Sequence, residues 1–101
     1  MKKLVISNPA INDLEEIWNF IAADSVDAAN RVEAEFQSQM QQLCEAPAIG
    51  HERRDVKNKT LRFWPVFSYV IAYRVEGEEL HVWRVVHGAR NFRRLFPKHR
   101  R

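Results

Sequence analysis

Near residue 60 the apolar residues change their spacing, from the period of a helix to that of a strand. A fold for this chain must carry helices first and a sheet after. In the first half Ile11, Leu14, Ile17, Trp18 and Ile21 form one helical stripe, with Asn12, Asp13, Glu15, Glu16 and Asn19 on the wet side. Ser7 or Asn8 can accept from the free amides of a helix start, and Pro9 suits a first turn whose N–H groups lack partners. This helix is expected to run to about Ala23. A second starts at Asp24 or Ser25, with Ala29, Val32, Phe36, Met40 and Leu43 opposed by Asn30, Glu33, Gln37 and Gln41. Pro47 and Gly50 end it. With almost no loop between them, the two helices should form an antiparallel hairpin.

Beyond the polar, basic stretch His51–Thr60, read as a loop, Leu61–Trp64, Phe67–Val75 and Leu80–His87 are rich in aromatic and β-branched residues. Phe67, Tyr69, Ile71, Tyr73 and Val75 alternate with Ser68, Val70, Ala72 and Arg74. Glu76-Gly77-Glu78 reads as a tight hairpin turn, Gly77 being free to take positive φ. In the last strand Leu80, Val82, Arg84 and Val86 share one face, and His81, Trp83, Val85 and His87 the other. A short strand at Lys3–Ser7 precedes the helices, and a short helical tail falls around Ala89–Leu95. The order is β-α-α-β-β-β, an α+β sandwich of two helices on one face of a mainly antiparallel sheet. At 101 residues, without repeats or linkers, the chain makes one domain spanning 1–101, with 92–101 as a basic tail.

Charge divides the chain as sharply as periodicity does. Residues 1–50 hold three basic and eight acidic groups, whereas residues 51–101 hold thirteen basic and five acidic. From His81 to Arg101 there are seven Arg or Lys and no carboxylate. That asymmetry points to an anionic partner, nucleic acid or an acidic protein surface, with a solubilising tail as the plainer reading. The single cysteine, Cys44, cannot form an internal disulfide and suits a reducing compartment. No apolar run approaches the roughly 18 residues of a membrane helix, so the expected location is the cytoplasm. His51, His81, His87, His99 and Cys44 lack metal-ligand spacing, and Gly50, Gly77 and Gly88 are isolated turn residues. Neither a metal nor a cofactor is expected.

Four blocks carry a family likeness. They are Ser7-x-x-Ala10-x-x-Asp13-Leu14-x-x-Ile17-Trp18-x-x-Ile21-Ala22; Pro47-x-x-Gly50 followed by Arg53 and Arg54; Leu61-Arg62-Phe63 with Tyr69-Val70-Ile71-x-Tyr73-Arg74-Val75; and Val82-x-Arg84-Val85-x-His87-Gly88-x-Arg90-Asn91. Over about residues 4–92 the sequence resembles the ParE branch of the RelE/ParE toxin superfamily. It departs at Asn91, where such chains usually carry Asp, and in a tail that is longer and more basic. The resemblance implies the sandwich derived above and a place in a type II toxin–antitoxin system of the plasmid-stabilisation kind. It also implies a ParD-like antitoxin wrapping the toxin, with DNA gyrase as target. The RelE branch instead cleaves messenger RNA on the ribosome, and that is the alternative activity. Self-association is expected only within a toxin–antitoxin complex.

Cleavage of RNA needs a base for the 2′-hydroxyl, an acid for the leaving oxygen and cations for the phosphorus centre. His87, with Arg62, Arg84 and Arg90, could fill some of those roles. No Tyr follows Tyr73 and no carboxylate follows Glu79, so the set is incomplete and a binder is favoured over an enzyme. Arg62, Arg90, Arg93 and Arg94 are the candidates for gripping the target. Trp18, Phe63, Trp64, Phe67 and Phe92 are the candidates for an apolar antitoxin groove flanked by basic residues. Each has a structural reading beside it. His87 can be a turn residue, Arg74 and Arg84 can pair with Asp13 or Glu16, and tryptophans usually pack.

Overall fold

Ser7 does three jobs where the first strand becomes the first helix. Its N–H donates to Val82 O at 3.0 Å, its Oγ accepts from Ala10 N at 3.2 Å, and its hydroxyl donates to Trp83 O at 2.7 Å. The cap is therefore Ser7 and not Asn8, and it welds β1 (Lys3–Ile6) and α1 (Asn8–Ala22) to the strand beside them. Ser25, not Asp24, caps α2 (Val26–Glu45) by accepting from Ala28 N at 3.1 Å. A 3₁₀ turn at Pro47–Ile49 follows, then β2 (Arg62–Val66), β3 (Tyr69–Glu76), β4 (Glu79–His87) and a single helical turn, α3 (Phe92–Leu95). The computed structural model describes residues 1–89 and 92–96, apart from the side chain of Arg93. No helix among the described residues is long and apolar enough to cross a membrane.

The sheet runs β1-β4-β3-β2, with β1 parallel to β4 and the other pairs antiparallel. The α1–α2 hairpin covers one face, as the sequence predicts. Phe36, Met40 and Leu43 from α2 pack there on Ile71, Tyr73, Leu80, Val82 and Val85. The opposite face is covered too. Val56, Leu61, Phe63, Ala72, Val86, Phe92 and Phe96 make a second cluster, so the expected polar loop 51–60 delivers one core residue, Val56.

Three local features depart from the expected pattern. The second strand does not stop at Trp64 but continues through Pro65 to Val66, because β2 is an edge strand where a missing N–H costs no rung. Phe67 is not in a strand; with Ser68 it forms the β2–β3 turn at φ +54°. β4 holds a bulge: Ala72 pairs with Arg84 but Tyr73 pairs with Val82, leaving Trp83 as the extra residue. The face assignment expected for β4 therefore holds for Leu80 and Val82 and reverses afterwards, with Val85 facing the helices and Val86 the second cluster.

Gly50 is required for space rather than for a turn. Its φ is −66°, but a Cβ there would lie 2.2 Å from the Tyr73 hydroxyl oxygen and 2.6 Å from the ring. That hydroxyl donates to Pro47 O at 2.6 Å and accepts from Gly50 N at 2.9 Å. The contact staples the end of α2 to the centre of the sheet.

Gly50→Ala is expected to cost about 1–3 kcal/mol by overpacking against a ring that cannot move, read as a lower urea midpoint at unchanged slope. Burial pushes the Tyr73 phenol above its ordinary value of about 10, against the weaker lowering effects of the Gly50 amide and Arg62. The stability this carries is whole below that ordinary value and is lost as pH rises through the raised one. Melting temperature is thus expected to fall above about pH 10, and less steeply in Tyr73→Phe.

Candidate functional site

β1 accompanies β4 only as far as Val82, so beyond that point the outer edge of β4 has no strand beside it. α1 lies along this gap and supplies Asp13. Its carboxylate accepts from Arg84 Nε at 2.7 Å, from Arg84 Nη2 at 2.8 Å and from the backbone N–H of Val85 at 3.0 Å. Asp13, expected on the wet side of its helix, is only 9% exposed and is the one buried charged residue among those described. The hydrogen bonds to Asp13 push Arg84 still further up, outweighing desolvation, with Asp13 and Glu16 adding Coulombic support. Arg84 is a fixed cation, held in a two-pronged grip.

Above this bridge opens a groove of about 500 Å³ between α1, the end of β4 and α3. Glu16, Ile17 and Phe20 form its helical wall, and Tyr69, Val85, Val86 and His87 its floor, with Arg94 and Leu95 closing one side. Tyr69 stands edge-on to His87 at 5.4 Å and to Phe36 at 5.7 Å. His87 Nδ1 accepts from Ala89 N at 3.2 Å, which places the proton of the neutral ring on Nε2.

The structure brings some of the sequence candidates together here and scatters others. His87, Arg84 and Arg94 share the groove. Arg84 is spent on Asp13, the structural pairing the sequence allowed, whereas Arg74 bonds Glu76 at 3.0 Å instead. Arg62 lies elsewhere, on β2, donating to Gly50 O at 2.9 Å and reaching Glu52 at 3.4 Å. Arg90 lies outside the described residues, as does the side chain of Arg93. Phe63 and Phe92 are buried in the second cluster, where Arg53 stacks over the Phe92 ring at 4.2 Å; neither is on the surface. Trp64 donates to Gln39 Oε1 at 2.7 Å and stacks on His51. Phe67 stands exposed at the hairpin tip.

Trp18 lines a second groove, of about 470 Å³, between α1 and α2. Ile6, Leu14, Phe36 and Met40 make it apolar, and Trp18 Nε1 donates to Asn30 Oδ1 at 3.0 Å. The charged residues lining it are Glu15 and Glu33, so it is rimmed by acids and not by the expected bases.

Sequence reading passed over Phe20 and Tyr69. Asp13, Glu16, Ile17 and Phe20 fall three or four apart, a second helical face hidden behind the stronger apolar stripe. Tyr69 reads as an alternating strand residue and as part of the third family block, with nothing to mark it for a site. Among the described residues no cluster of His, Cys, Asp or Glu is arranged to hold a metal ion. Burial raises the Cys44 thiol above its usual range, which keeps it in the less reactive protonated form.

The family model for the ParE toxin of the type II toxin–antitoxin system parDE matches residues 4–92. No curated protein matches the sequence. Among solved structures, the chain is similar to one described as the chromosomal ParDE TA system from P. aeruginosa. The TM-score is 0.72 at 19% identity, covering 86% of this chain and 96% of that one. At that identity the likeness speaks for the fold.

Asp13→Asn is expected to cost about 2–4 kcal/mol, because it leaves a half-buried guanidinium facing a neutral amide. Glu16→Gln, on the same helix face but exposed, is expected to move stability by less than about 0.5 kcal/mol. Urea unfolding of the two variants side by side makes the comparison.

Proposed function

The chain belongs to the ParE toxin family of type II toxin–antitoxin systems, and we propose that it arrests growth by binding DNA gyrase and is silenced by a ParD-like antitoxin. The family match over residues 4–92 carries this reading. Chemistry of the site supports a binder over a nuclease. Arg84 is consumed by Asp13, Arg62 is turned to backbone carbonyls, and Nδ1 of His87 is engaged by a turn amide. Cations so committed are poorly placed to neutralise a pentacoordinate phosphorus. Cytoplasmic action follows from the proposed target.

For the antitoxin, the groove between α1 and α2 is the better seat. Leu14, Trp18, Phe36 and Met40 offer an apolar trough between two helices, and helix-in-groove binding reads such a trough through spaced apolar anchors. Glu15 and Glu33 on its rim favour a segment that carries basic residues beside those anchors. Of the aromatic candidates Trp18 alone lines this groove. Phe63 and Phe92 are buried in the second cluster instead.

The purified toxin is expected to stall supercoiling by gyrase while leaving translated messages whole. Added antitoxin should restore supercoiling, and Trp18→Ala should weaken that rescue at least tenfold while sparing inhibition. Unaffected gyrase together with cut messages would instead establish the ribosome-dependent nuclease.

A further inference from the structure

Two phenylalanines at one end of the molecule are held out of both cores. Phe20, near the end of α1, is 63% exposed, and Phe67, at the β2–β3 tip, is 68% exposed. Phe67 also sits at φ +54°, a left-handed conformation that a bulky side chain rarely adopts and glycine takes freely. Strain kept in place for a ring that packs on no core points to a use for the ring.

The surroundings indicate what that use is. Two residues beyond Phe67, the Tyr69 ring is fixed edge-on between Phe36 and His87, and Tyr69 and Phe20 line the same groove. Arg94 lines it as well, exposed and in no ion pair among the described residues. Aromatic rings beside a cation are the elements that hold unstacked bases and their backbone. A volume of about 500 Å³ suits a group the size of one nucleotide. On the helical wall, Asp13 is occupied by Arg84, whereas Glu16 repels phosphate yet can accept from a base amino or imino group. The groove thus offers Arg94 to a phosphate and Glu16 to a base edge. Duplex bases, hidden in their stack, could not reach these rings.

We infer that this end of the toxin binds single-stranded nucleic acid, with bases stacked on Phe20, Tyr69 and Phe67 and a phosphate at Arg94. The inference needs no gyrase and stands or falls separately from the proposed target.

Fluorescence anisotropy of the purified full chain tests it. The probes are labelled mixed-sequence strands of about 12 nucleotides: DNA, the RNA counterpart and the DNA duplex. Both single strands are expected to bind more tightly than the duplex, and the tighter of the two names the natural source. Phe67→Gly should melt at or above the wild-type temperature, because glycine relieves the turn, yet bind the strand about tenfold more weakly. Phe20→Ala should weaken binding by a similar factor. Arg94→Ala should lower the slope of log affinity against log salt by about one unit. Absence of single-strand binding overturns the inference. So does duplex binding as tight as strand binding, or wild-type affinity in both phenylalanine variants.

Discussion

A single carboxylate closes the edge of this sheet. β4 extends past the end of β1, and a strand edge left open exposes N–H groups that water or another chain will claim. Asp13 takes one of them, the N–H of Val85, and holds the Arg84 side chain with its remaining lone pairs. A buried ion pair of this kind contributes little net stability by itself, since desolvation of both partners offsets their attraction. Its value here is positional. It sets the angle of α1 against β4, and with it the wall of the groove that contains Glu16, Ile17 and Phe20.

The bulge at Trp83 belongs to the same arrangement. One extra residue in β4 shifts the alternation of faces, so that Val82 and Val85 both meet the helices while Arg84 is steered toward Asp13. Without that shift, a strand with strict alternation would carry either Val82 or Val85 to the wrong face. Past the end of α2, Tyr73 plays a matching part by tying Pro47 and Gly50 to the sheet. Both devices join helical and sheet layers through polar contacts, one at the sheet edge and one at its centre, and so supplement the apolar burial of a small domain.

Periodicity and capping made most of the architecture legible from the sequence. The stripe of α2, the helix starts to within one residue of the Ser7 and Ser25 caps, and the turn at Gly77, with φ +57°, are local features that follow from local chemistry. What escaped was set by tertiary context. Pro65 reads as a strand terminator unless the strand is known to be an edge. Phe67 reads as a strand residue because nothing in its neighbourhood announces a turn. Asp13 reads as solvent-facing on a helical wheel, since its partner lies 71 residues away. Val56 sits in a basic stretch and gains its burial only from the second face of the sheet. At the site, pairing of Arg84 with Asp13 and a turn role for His87 were both legible as structural readings, but which reading holds depends on the fold.

For a toxin of this family the consequence is a division of surfaces. The helical hairpin carries an apolar, acid-rimmed groove suited to a partner helix, and the end of the sheet carries an aromatic groove with an exposed arginine. Both depend on α1 being held where Asp13 holds it. The most direct test is amide hydrogen exchange at Val85, followed by NMR in the wild type and in Asp13→Ala. Protection of Val85 comparable to the paired strand interior, lost in the variant while Ile71 stays protected, is the predicted result. Rapid exchange of Val85 in the wild type, at the rate of an open edge, would show that helix and strand are not clasped there.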